Sequence, residues 1–528
     1  MASRPQFDIC LSSSVDKSSS PLAEYHCCRK IMVLLSNPLV LGAVALSLLL
    51  WAVLGRVRLK RHGSALRNAP NTWPVVGNGL IFIQARQKLF RYFVTCERLH
   101  GYETLQIAVP SLPPGVIISD PKNLEYVFKH EGIFAKGSFV KERSWDLFGN
   151  GIINADGDLW KVQRKAGLSF LSTANLKILT QIALPRYLAQ SVAHLKSQCG
   201  GAVVDLQAVF HEITTLLMGD MAYNMEMHAD DEFSKAFDHA SGATAERFQN
   251  PLWFIMEIFF GSTLRKNLQI VKSYGAKMVD NAVRDRESAS KSFTGGSGTG
   301  IVDKSQHIEG SLIQSFLDAI GDKKMVADAA LNYLSAGRDT TAQALTWTFY
   351  LLMRHPDVLA KVRQEVRRPV DDDRDLADLP YTHAVFNEAL RLYPPIPFEI
   401  KQAIEHTTLP DGTFLPKGSV VVWCTWAMNR SYTTWGADAD DFRPERWLED
   451  GKVANRSAAE FPVFNGGPRT CLGKRMAEVT AVHVIAVMGS TFDFEPTGHE
   501  ERVSKSSLTL PMKGGLPVRV MENQLWTP

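Results

Sequence analysis

The segment Phe464-Asn-Gly-Gly-Pro-Arg-Thr-Cys-Leu-Gly473 holds the residue best placed to do chemistry, Cys471. Gly466, Gly467 and Pro468 favour a tight turn before it, and Gly473 permits close backbone approach after it. The stretch Lys474 to Met488 is largely apolar and predicts a helix, so Cys471 precedes a helix N-terminus, where a thiolate is favoured over a thiol. A cysteine thiolate is an axial ligand for haem iron and donates electron density that favours O–O cleavage. Arg469 stands two residues away, suited to a haem propionate. Upstream, Ala336-Gly-Arg-Asp-Thr-Thr341 sits in a long helical stretch. There Thr340 shares a helix face with Ala336, and Asp339 supplies an ionisable group beside the hydroxyl. Such a pair is suited to general-acid chemistry. Trp160 and Arg164 also share a face, and both can donate to a propionate. Each pattern alone has a bland alternative: a core cysteine, a solvated helix face, an ordinary amphipathic helix.

The surrounding sequence must position these groups. The 528 residues suffice for a large core, and a net charge of +3 implies no nucleic-acid partner. The 7 cysteines are scattered without a C-x-x-C pair, which points away from a disulfide framework or a zinc site. From Ile31 to Leu54 no residue is charged, and the run exceeds the roughly 20 residues a bilayer core needs. Arg56, Arg58, Lys60, Arg61 and Arg67 follow it, which puts this flank in the cytosol and the first thirty residues in the lumen. The expected organisation is a lumenal segment over 1–30, an anchor helix over 31–54, a basic and proline-containing linker over 55–78, and a catalytic domain over 79–528. Alternating runs between Gly101 and Asp120 predict a small antiparallel sheet. Helical periodicity dominates from about Pro121 to Val366, with clear examples over Leu176 to Gln198, Thr263 to Ser288 and Lys323 to Met353. Residues 292–300 are Gly- and Ser-rich and predict a surface loop. After Tyr393 short strands return, with Asp411-Gly412 as a hairpin turn and Gly514-Gly515 as another turn. The fold class expected is mainly α with a small β-rich subdomain.

With these motifs in this order, roughly residues 65 to 525 resemble the cytochrome P-450 family, whose cysteine-loop signature is met by Phe464, Gly467, Arg469, Cys471 and Gly473. The resemblance implies haem b with Cys471 as iron ligand, in the cytochrome P-450 fold preceded by a transmembrane helix. It implies that Gly337 lets the oxygen-binding helix open over the iron, and that Asp339 and Thr340 deliver protons during dioxygen activation. Glu388 and Arg391, spaced to share a helix face, ordinarily read as a weak surface ion pair. In the family the pair is buried and completed by an arginine, here Arg446, and braces the cysteine loop. The family's Pro-x-x-x-Arg pattern appears here as Pro397-Phe-Glu-Ile-Lys401, which leaves Lys401 as a point charge for a propionate.

Residues 147–165 and 247–254 resemble the fungal alkane and fatty-acid hydroxylase branch and its plant fatty-acid relatives, which implies a hydrophobic, membrane-borne substrate. The apolar run Pro251 to Phe260 is expected at the channel mouth, dipping into the bilayer, or as ordinary helix core. Glu399 sits in the pocket-lining segment, where it either pairs with Lys401 or meets a polar group on a specialised metabolite. No Gly-x-Gly-x-x-Gly fingerprint is present, so electrons from NADPH must arrive through a separate partner. The resemblance implies NADPH–cytochrome reductase, with cytochrome b5 as a second donor, at the endoplasmic reticulum membrane. Arg469, Lys474 and Arg475 are the expected docking face. The rival functions are an O2-independent haem-thiolate isomerase or dehydratase and a non-enzymatic haem-binding protein.

Overall fold

A computed structural model of the chain describes residues 57–110, 112–294, 311–367 and 379–523, with a few isolated positions between 38 and 47. The expected anchor run Ile31–Leu54 lies almost wholly outside them, as does most of the Gly- and Ser-rich segment 292–300. Among the described residues no helix is long and apolar enough to cross a membrane.

The helices that position the site are, in chain order, α1 (Arg86–His100), α2 (Gly137–Phe148), α3 (Gly157–Phe170), α4 (Leu206–Tyr223), α5 (Glu232–Gln249), α6 (Trp253–Phe260), α7 (Ser262–Thr294), α8 (Lys323–Arg354), α9 (Pro380–Leu392) and α10 (Lys474–Thr491). The central one is α8. The Asp322 side chain caps its start by accepting from the Met325 N–H at 2.8 Å. It stops at His355, because Pro356 disfavours helical backbone in the residue before it. Nearly every side of α8 is buried, and it packs against α4, α7, α9 and α10. That all-round burial explains why its sequence is apolar on several faces rather than on one stripe.

The β-rich side is built from small sheets. Leu105–Ile107 and Gly115–Ile117 pair antiparallel as expected. They belong to a five-stranded sheet in the order Leu105–Ile107, Gly115–Ile117, Val420–Trp423, Glu399–Ala403, Phe134–Ala135. Val420–Trp423 is parallel to Gly115–Ile117 and antiparallel to Glu399–Ala403. Side chains two apart on a strand share a face, so Glu399 and Lys401 project together.

Two expectations change. The stretch 58–78, expected as a linker, is part of the folded unit that starts at Arg58. Lys60–Arg61 pairs with both Ser64–Ala65 and Thr413–Leu415. The Asn78 side chain, fully buried, bonds to the Pro70 carbonyl at 3.1 Å. The basic run reads as a linker because its strand partner lies some 350 residues away. The run at Pro251–Phe260 is not core: no residue of α6 is buried, and Phe259 and Phe260 are 72% and 73% exposed.

A buried ion network ties α9 to the segment before the cysteine loop. The Glu388 carboxylate accepts from Arg391 Nε and Nη2 at 2.8 Å each, and from Arg446 Nε at 2.9 Å. The Arg443 N–H and the Trp447 indole add bonds of 2.9 Å. Arg391 also donates to the carbonyls of Asn429, Ala439 and Asp441. Arg446 is thus the third member, as the resemblance implied. Removing one partner leaves buried charge uncompensated, at a cost of about 3–5 kcal/mol. Glu388→Ala is therefore expected to lower the unfolding midpoint in a thermal melt by many degrees. A melt indistinguishable from that of the unmutated protein contradicts the bracing role.

Candidate active site

The cysteine loop is closed by its own backbone. Its N-terminal part forms two short 3₁₀ turns, Pro462–Phe464 and Gly467–Arg469, and the Cys471 N–H then donates to the Phe464 carbonyl at 2.7 Å. Gly467 has φ +61°, and a Cβ there would lie 2.3 Å from the Phe128 carbonyl oxygen, so only glycine fits. Gly473 departs from expectation: no protein atom lies within 4 Å of where its Cβ would be, so protein packing does not require it. The helix after it forms as expected. The Cys471 thiol is accessible and lines a cavity of about 570 Å³. Surrounding protein nonetheless desolvates it and raises its pKa, outweighing the Gly473 N–H and Arg164, which lower it. The helix N-terminus therefore does not ionise this thiol by itself. A bound metal ion does, because a coordinating thiol is deprotonated outright.

Thr340 and Ala336 are among the residues through which α8 lines the same cavity. Thr340 Oγ1 donates back to the Ala336 carbonyl at 2.7 Å. Gly337 lines the cavity and has a second, packing role that the sequence did not signal. A Cβ on it would meet Met218 Sδ at 2.5 Å, so the glycine also makes room for α4 to pack on α8, while still lining the cavity. Asp339 is buried beside Arg338, with Nε to Oδ1 at 3.4 Å, and beside His211, with Nδ1 to Oδ1 at 4.0 Å. These are ion-pair distances without hydrogen-bond alignment, and Oδ1 has no hydrogen-bond partner. Burial, with Asp238 adding to it, raises the Asp339 pKa to about 6 against the pull of Arg338 and Lys505. His211 is pushed the other way, to about 3, by burial and by the same two cations.

The cations around the cavity separate into compensated and uncompensated ones. Arg469 donates to Glu131 at 2.8 Å, to Asp156 at 2.9 Å and to the Ala155 carbonyl at 2.9 Å, and lies 4.4 Å from the Trp160 ring centre. Its charge is matched, and its side chain is 9% exposed, so it leaves the expected docking face to Lys474 and Arg475. Arg164 donates to the Thr470 carbonyl at 2.9 Å and has no carboxylate partner among the described residues. Lys401 has none either, and burial, with Lys136 and Arg469 adding to it, lowers its pKa to about 7. Trp160 lines the cavity too. Glu399 pairs with Lys136 at 3.2 Å, not with Lys401. The sequence reading missed Lys136, along with His211 and the cavity-lining Arg143. The pairing of Lys136 with Glu399 spans 263 positions, and no local spacing signals it.

These residues fit a haem. A thiol opens into a largely apolar cavity, and cations without carboxylate partners, Arg164 and Lys401 among them, line that cavity, as anionic propionates would require.

Comparison with known proteins agrees. The family model described as Cytochrome P450 matches residues 68–517. The chain is similar to cytochrome P450 CYP94D109 of Paris polyphylla, 33% identical over 443 residues, which covers 78% of this chain and 86% of the relative. It is similar to cytochrome P450 86B1 of Arabidopsis thaliana, 31% identical over 452 residues, covering 78% and 77%. It is similar to cytochrome P450 94A1 of Vicia sativa, 28% identical over 480 residues, covering 86% and 90%. These relatives are plant proteins, and they do not support the fungal alkane-hydroxylase placement. With its family model matched across most of its length, the chain belongs to the cytochrome P450 family, whose members are haem-thiolate monooxygenases.

Proposed function

We propose that this chain inserts one oxygen atom from O2 into a long hydrophobic substrate, with Cys471 as the thiolate ligand of haem b. The observation that carries the reading is Thr340, on the cavity wall, next to a buried carboxyl whose pKa is raised to about 6. When bound, the haem supplies reductive activation of dioxygen and oxygen insertion into a C–H bond. With its pKa raised to about 6, Asp339 is roughly one-tenth protonated at pH 7, takes up and gives back a proton readily near neutrality, and so supplies protons. Thr340 Oγ holds the transfer position, since its own proton is engaged by the Ala336 carbonyl and its lone pairs are left to accept. Arg164, Lys401 and Trp160 receive the propionates, while Arg469 locks the loop to residues 155–156. The cavity walls exclude water from the reacting carbon. An isomerase or dehydratase has less use for this proton supply, which favours the oxygen-dependent reaction.

Electrons come from NADPH through a separate reductase, or cytochrome b5, docking near Lys474 and Arg475. The run Ile31–Leu54 anchors the chain in the endoplasmic reticulum membrane, and the exposed apolar face of α6 rests on that bilayer. Of the two glycosylation sequons, Asn429 is buried and uninformative, while Asn455 is exposed and, in a cytosolic domain, stays unmodified.

Isotopically labelled dioxygen is expected to leave its label in the product. Product lacking the label contradicts the monooxygenase reading. Thr340→Ala is expected to keep haem but to consume NADPH with little product, releasing peroxide. An unchanged ratio of product to NADPH removes Thr340 from proton delivery.

The Lys401 assignment has its own pH signature. Without an anion beside it, Lys401 loses its proton above about pH 7, so propionate binding at higher pH must first take one up. Haem retention, measured by transfer to a haem-scavenging protein, is expected to weaken as pH rises through this range. Lys401→Met is expected to release haem faster at pH 7 and to lose that pH dependence. An identical pH profile in the two proteins contradicts the contact.

A further inference from the structure

Asp339 reaches the cavity from α8, and a group of polar side chains stands behind it. His211 comes from α4, Asp238 from α5, Lys505 from the chain near its C-terminus, and Arg338 is the preceding residue of α8. His211 Nδ1 is 4.0 Å from Asp339 Oδ1, and Arg338 Nε is 3.4 Å from the same oxygen. All three atoms are enclosed, and none has a hydrogen-bond partner among the described residues. Enclosed polar atoms are costly without partners, and three gathered at one carboxylate oxygen call for a shared one.

The donors and acceptors identify that partner. A guanidinium nitrogen only donates, an ionised carboxylate only accepts, and a neutral imidazole accepts at one ring nitrogen. Burial and the cations of Arg338 and Lys505 lower the His211 pKa to about 3, so the ring is neutral. A metal ion is repelled by those two cations, and an anion by Asp339. A water molecule accepts from Arg338 and donates to Asp339 and His211, which completes all three. A separation of 4.0 Å is too long for a direct bond and suits one bridging water. Buried waters ordinarily make about three such bonds. This side of Asp339 also leads outward. Arg338 Nη2 and Lys505 Nζ each lie 3.6 Å from the Asp238 carboxylate, and Asp238 and Lys505 are 42% and 44% exposed. His211 does not line the cavity, yet its side chain keeps 13% exposure.

We propose that His211 and Arg338 bind one water on Asp339 Oδ1, on the side away from the cavity, and that Asp339 regains its proton through this water. The inference rests on the reading of Asp339 as the proton donor. When Asp339 gives its proton toward Thr340, it is left as a carboxylate. The water then hands a proton to Oδ1 and takes one from solvent arriving past Asp238, so water and imidazole are unchanged after each cycle. His211 is a positioning residue: it orients the water and stays neutral. Without it the water loses one of its three partners, and the carboxylate loses a hydrogen bond that favours its charged form.

The test follows the protonated Asp339 carboxyl in the full-length ferric enzyme by its infrared stretching band, identified by its loss in Asp339→Asn. In the unmutated enzyme the band is expected to shift promptly on transfer to D2O, as a carboxyl linked to solvent requires. In His211→Phe its pH midpoint is expected to rise by about one pH unit, the size of one lost hydrogen bond to the ionised form. The share of NADPH lost to peroxide is expected to rise with it. His211→Asn, which keeps a polar atom close to the position of Nδ1, is expected to restore both. An unmoved midpoint in His211→Phe overturns the proposal. A midpoint that falls toward the ordinary carboxylate range also overturns it, because loosened packing that admits bulk solvent does the same. A band in the unmutated enzyme that takes hours to exchange overturns it without any variant. Normal product per NADPH in Asp339→Asn overturns the proton-donor reading instead, while the infrared arm still decides the water site without turnover.

Discussion

Glu388 has no accessible surface, and its carboxylate accepts from two arginines, an indole and a backbone N–H. The remaining donors of Arg391 reach three backbone carbonyls between Asn429 and Asp441. One negative charge thus fixes α9 against a long irregular segment that has little regular secondary structure to hold it. α9 also packs against α10, the helix that begins immediately after the cysteine loop. Buried ion pairs add little net stability compared with a well-packed apolar substitute. The value of this one is geometric: the network has one arrangement in which every donor is used, and that arrangement sets where the loop carrying Cys471 leaves its preceding segment.

The same logic of buried charge divides the cavity into regions. Burial raises the Cys471 thiol and the Asp339 carboxyl and lowers Lys401, each away from its charged form. A thiol held neutral awaits a metal. A carboxyl lifted to about 6 can give and regain a proton near neutrality. A lysine lowered to about 7 is suited to an incoming anion, which restores its charge. Where the protein supplies full compensation, as for Arg469 and Arg247, the side chain fixes structure. Where it supplies no carboxylate, as for Arg164 and Lys401, the partner is expected from a molecule other than the protein. The division follows from the cost of leaving an ion unpaired away from water.

Local motifs were legible in the sequence because their residues act within a few positions of one another. The turn at Gly467, the α8 stretch with Thr340, and the spacing of Glu388 and Arg391 all belong to this kind. What was not legible depends on distant partners. Strand Lys60–Arg61 read as a linker because its pairing partner is Thr413–Leu415. The packing of Gly337 against Met218 was hidden because nothing in its neighbourhood reveals α4 opposite it. Arg143 follows Lys141 and Glu142 in a charged stretch that looks like solvated helix surface. Its burial arises only when α5 and the five-stranded sheet close over α2. The pairing of Glu399 with Lys136 rather than with Lys401 was hidden for the same reason.

The claim on which the account depends is that Cys471 binds the iron as a thiolate in a loop the protein holds in place. The absorption spectrum of the reduced carbon-monoxide complex reads this directly, because thiolate ligation shifts the main band strongly to the red of the position seen with a histidine ligand. The unmutated protein is predicted to show the red-shifted band, and Cys471→His to retain bound haem without it. A red-shifted band that persists in Cys471→His would show that another residue holds the iron and would contradict the account.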